Sequence, residues 1–282
     1  MPARAQFRER CASRLFNVGV AEQNMIGLAT GLAEAGLLPF CYSIGTFASL
    51  RAFEFIRNGP VLQQLPVRVV GLGAGFEYGS AGPTHYSLED IGVMRTQPGL
   101  EIVAPADFEQ ARTALRMTWN LPVPVYYRIG KDEQNRLAGL EGRFAIGAVQ
   151  PIREGDDLLI FACGPIAMEV LEAAEELARD GVEAAVVVVA GFSRGVEAQV
   201  AEALGRRRVA LTVETHYVTG GLGSLVAETI ADRALGTRLV RLGVRAGSGG
   251  RSGSAAHMHS LHGLDRASIV RAARGIIAGV RT

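Results

Sequence analysis

Short apolar runs alternate along this chain with longer stretches whose apolar residues recur every three or four positions. The first kind reads as a buried parallel strand, the second as an amphipathic helix laid on it. From Ala21 to Ala35, apolar Met25, Ile26, Leu28, Ala29 and Leu32 share one helical face, and Gly36 ends the helix. The residues ahead of it read as a charged helix fragment over the first dozen positions, then a short strand from Leu15 to Val20. Leu38 to Ser43 is the next strand, followed by a helix carrying Phe47, Leu50, Phe53, Glu54 and Ile56 that N-G-P at Asn58 to Pro60 breaks. Val67 to Gly71, Glu101 to Val103 and Val123 to Arg128 are further strands, separated by a glycine-rich loop ending at His85, a short helix and the helix Asp107 to Trp119.

The polar run K-D-E-Q-N-R at Lys131 to Arg136 interrupts this pattern, which then restarts. Strands follow at Leu158 to Ala162, Ala184 to Ala190, Val209 to Val213 and Thr237 to Leu242. Helices are expected at Pro165 to Arg179, at Val196 to Leu204, after Gly220 to Gly223, and at Asp265 to Ile277, with a Gly- and Ser-rich loop at Gly243 to Gly263. Strand–helix alternation of this kind predicts an α/β protein of two doubly wound domains with mainly parallel sheets. We place the first at residues 1–135, a linker at 136–155 and the second at 156–282.

Composition narrows the setting. Hydrophobic residues make up 48% of the 282, so two ordinary cores can be filled. The 29 basic and 28 acidic residues leave a net charge of +1, which gives no electrostatic case for nucleic acid or an anionic membrane. Cys11, Cys41 and Cys163 lack metal spacing, and their odd number argues against a disulfide frame. No apolar run reaches the ~18 residues of a membrane span, and the N-terminus lacks a signal-peptide core, so a cytoplasmic protein is expected.

Candidate chemistry is sparse when read from residue types alone. Glu22, in F-N-V-G-V-A-E-Q-N, stands at a strand-to-helix turn, where a glutamate commonly complements the amide dipole. His85 closes the loop G-L-G-A-G-F-E-Y-G-S-A-G-P-T-H on the carboxyl side of a parallel strand, where open α/β sheets place their ligands. That loop matches a dinucleotide fingerprint only loosely, and Gly220 to Gly223 is more simply a tight helix start. His257, His259 and His262 lie in a Gly- and Ser-rich loop without cysteine or paired carboxylate, so no metal is expected there. No G-x-S-x-G or other hydrolase motif is legible.

Five segments in register change this picture. F-N-V-G-V-A-E-Q-N-M-I-G-L-A-T-G-L-A, P-F-C-Y-S-I-G-T-F, G-P-T-H, P-V-Y-Y-R-I-G-K and V-E-T-H-Y-V-T-G-G-L-G-S, in that order, closely resemble the C-terminal half of transketolases. The resemblance covers nearly the whole chain. It implies a thiamine diphosphate-binding pyrimidine domain followed by the family's C-terminal domain, as in transketolases split over two chains. Glu22 matches the glutamate that hydrogen-bonds the aminopyrimidine and shifts the cofactor toward the tautomer able to deprotonate the thiazolium carbon. Phe47 matches the aromatic residue stacked on the pyrimidine, although by periodicity it is an ordinary core phenylalanine. His85 matches a substrate-facing histidine that stabilises charge or moves protons, and Arg128 an arginine that contacts a substrate phosphate.

The departures are informative too. Ala81 stands where many relatives carry an acid, and Gly73 where transketolases have another histidine, so a specialised sugar acceptor is expected. By the resemblance, roughly 40 residues of the family's pyrimidine domain are absent ahead of F-N-V-G, so that either a partner covers the exposed sheet edge or the true start lies upstream. The family's Mg²⁺ and diphosphate motif, G-D-G followed by an asparagine, does not occur in this sequence. The resemblance therefore implies a separate diphosphate-binding subunit holding the Mg²⁺, an α2β2 assembly, and transfer of a two-carbon unit from a ketose or 2-oxo donor. The rival readings are a β subunit of a 2-oxo acid dehydrogenase and a non-catalytic scaffold homologue.

Overall fold

Strand β1 (Phe40–Ile44) forms one edge of a four-stranded parallel sheet with β2 (Arg68–Leu72), β3 (Glu101–Val103) and β4 (Val125–Ile129), in the order β1-β2-β4-β3. A computed structural model of the chain describes residues 7–131, 134–205, 207–245, 247 and 249–281, with side chains to residue 279. The second sheet contains β5 (Gln150–Arg153), β6 (Leu158–Cys163), β7 (Ala184–Val188), β8 (Val209–Tyr217) and β9 (Arg238–Val244), ordered β5-β7-β6-β8-β9. Only β5 runs antiparallel to its neighbour. Every residue of β6 and β7 is buried, because helices cover both faces of this sheet.

With one exception, the helices fall where the apolar spacing puts them. In the first domain these are α1 (Glu22–Glu34), α2 (Asp90–Arg95) and α3 (Phe108–Thr118). In the second they are α4 (Ala167–Arg179), α5 (Val196–Leu204), α6 (Leu222–Asp232), α7 (Ala255–Leu261) and α8 (Arg266–Arg281). Asp107 caps α3 through a 2.8 Å bond from the Gln110 amide, satisfying one of the free donors at the helix start. The two domains are not separate bodies. One apolar core runs from Phe76, Tyr86 and Leu88 of the first into Leu158, Ile160 and Met258 of the second.

Four local expectations are corrected. Leu15 to Val20 forms no strand: Phe16 and Val20 stand exposed, and β1 pairs only with β2 among the described residues, so this segment has no ladder to join. N-G-P does not break its helix. Phe47–Arg51 winds as a π turn, Phe53–Ile56 as an α turn, and Arg57–Val61 as a second π turn that contains Pro60. The wider turn bonds Leu62 N–H to the Arg57 carbonyl across five residues, which leaves room for the proline ring. The loop read over Gly243 to Gly263 contains α7, started by Ser254, whose side chain accepts from the His257 amide. Residues 136–155, read as a linker, carry β5. Of the charged N-terminal fragment, residues 7–10 are helical and residues 1–6 lie outside the described residues.

Candidate active site

The carboxyl ends of β1 and β2 open onto the same corner of the first domain, and three of the four singled-out side chains meet there. β1 leads through Gly45 into the π turn that begins at Phe47, and β2 leads into the glycine loop that ends at His85. Glu22 begins α1 beside β1. Its neighbour Ala21 offers no capping side chain, so the carboxylate itself sits at the helix start, where the amide dipole favours negative charge.

Both oxygens of this nearly buried carboxylate are held. Ser43 Oγ of β1 donates to Oε1 at 2.8 Å, and Arg51 Nη1 donates to Oε2 at 2.6 Å. Burial on its own raises the Glu22 pKa, but the hydrogen bonds from Arg51 and Ser43 outweigh it and hold the group below its ordinary value. The Arg51 guanidinium also lies over the Phe47 ring, with Cζ 4.3 Å from the centroid. The π turn brings these two residues, four apart, onto one line. Phe47 in turn meets the His85 ring edge-on, with centroids 5.1 Å apart and planes at 70°. Glu22, Arg51, Phe47 and His85 thus form one continuous contact.

His85 owes its place to a loop fixed from both domains. Gly82 takes φ +88°, a conformation that disfavours a side chain, and turns the chain into the short 3₁₀ turn Pro83–His85. Thr84 Oγ1 lies 3.0 Å from His85 Nδ1. Behind it, the Gly253 amide of the second domain donates to the Gly79 carbonyl at 3.2 Å, and Tyr86 Oη donates to the Arg251 carbonyl at 2.6 Å. Phe76 stacks on His262 with centroids 5.1 Å apart and lies 6.3 Å from His259. These two histidines therefore brace the loop from behind, and burial pushes His259 down to about 4. Among the described residues no group of three His, Cys, Asp or Glu side chains is placed to hold a metal ion.

Gly73 also has a steric reason to be glycine. At φ +85°, a Cβ here would lie 2.3 Å from the Tyr78 ring, so Tyr78 fills the space a side chain would need. Neither Gly73 nor Ala81 supplies a functional group to this corner.

Arg128 stands apart, and its expected contact with a substrate phosphate does not fit its surroundings. Its side chain is only 2% exposed. Nε donates to Asp90 Oδ2 at 2.8 Å, and Nη2 donates to the carbonyls of Ser87 and Thr215, each at 2.9 Å. Thr215 belongs to the second domain, so the guanidinium fork joins the domains and presents no face to solvent. Its surroundings are equally closed. Tyr126 Oη donates to Asp90 Oδ2 at 2.8 Å, and His216 Nε2 accepts from the Gly92 amide at 3.2 Å. Burial, the largest influence on His216, lowers its pKa and keeps it neutral, with Nδ1–H donating to the Tyr217 carbonyl at 2.7 Å. Glu214 accepts from the Leu222 and Gly223 amides, both at 2.7 Å, at the start of α6.

Sequence reasoning missed Arg51, Ser43, Asp90 and the pair Glu214 and His216. Ser43 lies inside P-F-C-Y-S-I-G-T-F, and Glu214 and His216 inside V-E-T-H-Y, so both motifs contained them without saying what they touch. Arg51 carried a signal in its spacing of four from Phe47 on a helical segment. Asp90 had none beyond an acid in a first helical turn.

Comparison with known proteins agrees with this architecture. Residues 2–135 match the transketolase pyrimidine-binding domain, and residues 147–269 the transketolase C-terminal domain. The chain is 35% identical to 6-deoxy-6-sulfo-D-fructose transketolase subunit SqwH of Clostridium sp. strain MSTE9, over 96% of this chain and 84% of that protein. It is 33% identical to an apulose-4-phosphate transketolase subunit of Actinobacillus succinogenes, over 94% of this chain and 86% of that one. Among solved structures, a split-gene transketolase described as an inactive β4 tetramer superimposes with a TM-score of 0.85 at 31% identity, covering 96% of this chain and 86% of that chain.

Proposed function

This chain belongs to the transketolase family, and we propose that it is the pyrimidine-binding subunit of a split enzyme dependent on thiamine diphosphate. The reaction is transfer of a two-carbon unit from a ketose or 2-oxo donor to an aldehyde or ketone acceptor. One observation carries this reading. Glu22, Phe47 and His85, spread over more than 60 residues of sequence, converge at the carboxyl ends of β1 and β2 within one unbroken set of contacts.

The residues present fit the pyrimidine end of the cofactor. Glu22 offers a carboxyl group at a helix start, oriented by Ser43, to hold a proton against a ring nitrogen. Phe47 offers a flat apolar face for the ring and excludes water from it. When bound, the cofactor supplies the carbon nucleophile that no protein side chain provides. His85, at the mouth of the glycine loop, stabilises developing charge on substrate oxygens or moves a proton. The diphosphate and its Mg²⁺ would be held by a separate N-terminal subunit, in keeping with relatives named as transketolase subunits.

Two features bear on partners and substrate. Among the described residues, the large exposed apolar side chains run from Phe7 to Trp119, with Ile146 the one beyond. An apolar surface concentrated on the pyrimidine domain supports an interface there and, with the diphosphate-binding subunit, an α2β2 assembly. Tyr78 over Gly73 shapes the acceptor side differently from a site with a histidine at that position. Together with relatives named for apulose 4-phosphate and a sulfosugar, this supports a specialised sugar acceptor.

The test is Glu22→Gln in the reconstituted two-subunit complex. Turnover is expected to disappear while the subunits still co-elute, and retention of wild-type turnover would refute the assignment. Product analysis then addresses the acceptor: rapid interconversion of ordinary pentose phosphates would count against a specialised one.

A further inference from the structure

We propose that Arg51 is an internal competitor of the cofactor, so that its release from Glu22 and Phe47 sets the affinity of the site for thiamine diphosphate. The inference rests on the assignment of Glu22 and Phe47 to the pyrimidine ring and goes beyond it, because that assignment gives Arg51 no role.

The geometry leads to it in three steps. First, Arg51 uses both of the groups the ring would need: it is bonded to Glu22 Oε2 at 2.6 Å and lies over Phe47 at 4.3 Å. The other carboxylate oxygen is taken by Ser43. Second, a guanidinium is a chemical stand-in for an aminopyrimidine edge. Each is flat, carries N–H donors beside an extended π system, stacks on an aromatic face and bonds a carboxylate in its own plane. A ring seated against that covered face of Phe47 and bonded to Glu22 would claim the volume the guanidinium fills. Third, Arg51 is free to leave. Its side chain is 39% exposed, against 8% for Glu22, and the hydrogen bond to Glu22 is the one that holds its guanidinium among the described residues.

Departure of Arg51 also shifts its partner toward the protonated form. While bonded, Arg51 helps hold Glu22 ionised. Once it is gone, burial favours the protonated form, which is a donor for a ring nitrogen. Binding of the ring and release of the guanidinium are thus coupled through one carboxyl group.

The experiment measures thiamine diphosphate affinity by titration calorimetry on the reconstituted complex, with no turnover involved. Arg51→Met, which keeps an apolar stem over Phe47 and removes the donors, is expected to tighten binding by about fivefold, the effect of losing a partly exposed ion pair. Arg51→Lys, which restores the charge, should return affinity toward wild type. The ratio of wild-type to Arg51→Met dissociation constants should shrink as salt screens the pair. Equal or weaker binding by Arg51→Met overturns the proposal. If Arg51→Met does not assemble with the second subunit, a crystal structure of the loaded wild-type complex decides: Arg51 still bonded to Glu22 and stacked on Phe47 overturns the proposal, and a displaced guanidinium supports it. Glu22→Gln and Phe47→Ala separate this failure from that of the underlying reading. Unchanged affinity in both variants refutes the pyrimidine site itself, whereas weakened affinity in both without tightening in Arg51→Met refutes only the competitor.

Discussion

Two arginine–carboxylate pairs divide this molecule between them. Arg51–Glu22 lies at the open corner of the first sheet, with side-chain exposures of 39% and 8%; Arg128–Asp90 lies at the domain seam, with 2% and 1%. The bond lengths are similar, at 2.6 and 2.8 Å, so distance does not distinguish them. What differs is the set of other partners. Arg128 also holds two carbonyls, one from each domain, and Asp90 also accepts from Tyr126. Arg51 rests on a ring face and one carboxylate oxygen. A pair held by several partners and out of water is structural, because removing one member strands the other. A pair at the edge of water can exchange its partner for a ligand at little cost.

The most severe way to test that contrast is to remove Arg128. Arg128→Met leaves Asp90 buried beside Tyr126 with no compensating charge, and it frees the carbonyls of Ser87 and Thr215. A loss of about 3–5 kcal/mol of stability is expected, typical of a broken buried pair. Chemical denaturation should show it, and limited proteolysis should cut between the domains. A variant as stable as the wild type would erase the difference between the two pairs.

A milder disturbance of the same seam comes from its glycines. Gly92 of α2 and Gly220 of the second domain face one another, and a Cβ on Gly220 would lie 2.8 Å from Gly92 Cα. Gly220 also holds φ +86°. Gly220→Ala should therefore cost about 1–3 kcal/mol, the usual range for an overpacked contact, with the strained backbone adding to it. The melting temperature is the readout. The corresponding change at Gly36, also at positive φ but with open space around its Cβ position, should cost less, which separates strain from crowding.

How legible these regions were in sequence follows from the same contrast. Apolar periodicity placed α1, α3, α4 and α5 and every strand of the two sheets except β5, which lies in the stretch read as a linker. It misread Leu15 to Val20, since alternation shows that a segment could be a strand and not that a neighbouring strand exists to pair with it. It misread Asn58 to Pro60 because a π turn tolerates a proline that an α turn rejects. At the open corner, Glu22, Phe47 and His85 were identifiable only through resemblance to a family, with no local pattern linking them. The seam was hidden more deeply. Arg128 sits in a strand motif that carries no sign of whether its guanidinium turns to a ligand or to the Thr215 carbonyl.

The seam also predicts a dependence on pH opposite in sign to that of the open corner. Burial raises Glu214 from about 4.5 to about 7, against the bonds from the Gly223 and Leu222 amides and the charges of Arg128 and Arg95. A carboxyl group with a raised folded-state pKa holds a proton that the unfolded chain has already lost, so its contribution to stability falls as pH rises from about 4.5 to about 7. The slope reaches at most about 1.4 kcal/mol per pH unit. Glu22 has the opposite sign: its lowered pKa contributes stability above the ordinary carboxylate range, lost as pH falls through the folded value. Denaturation midpoints at pH 5, 6, 7 and 8 for wild type and Glu214→Gln should therefore converge in slope at the alkaline end and diverge toward acid. Parallel curves throughout would mean that Glu214 is ionised in the fold at every pH tested.

The smallest expected effect sharpens the comparison most. Arg51→Met removes a pair whose arginine is more than a third exposed, and such pairs contribute about 0–1 kcal/mol to folding. The methionine stem still covers part of Phe47, so little apolar area is lost to water. The melting temperature of the isolated chain should move by no more than a few degrees, far less than for Arg128→Met. A large destabilisation would place Arg51 with Arg128 as a structural anchor, since a guanidinium that holds the fold together cannot also be free to yield its place. A negligible one leaves Glu22 and Phe47 preorganised by Ser43 and the π turn, with Arg51 as the one movable part of the corner.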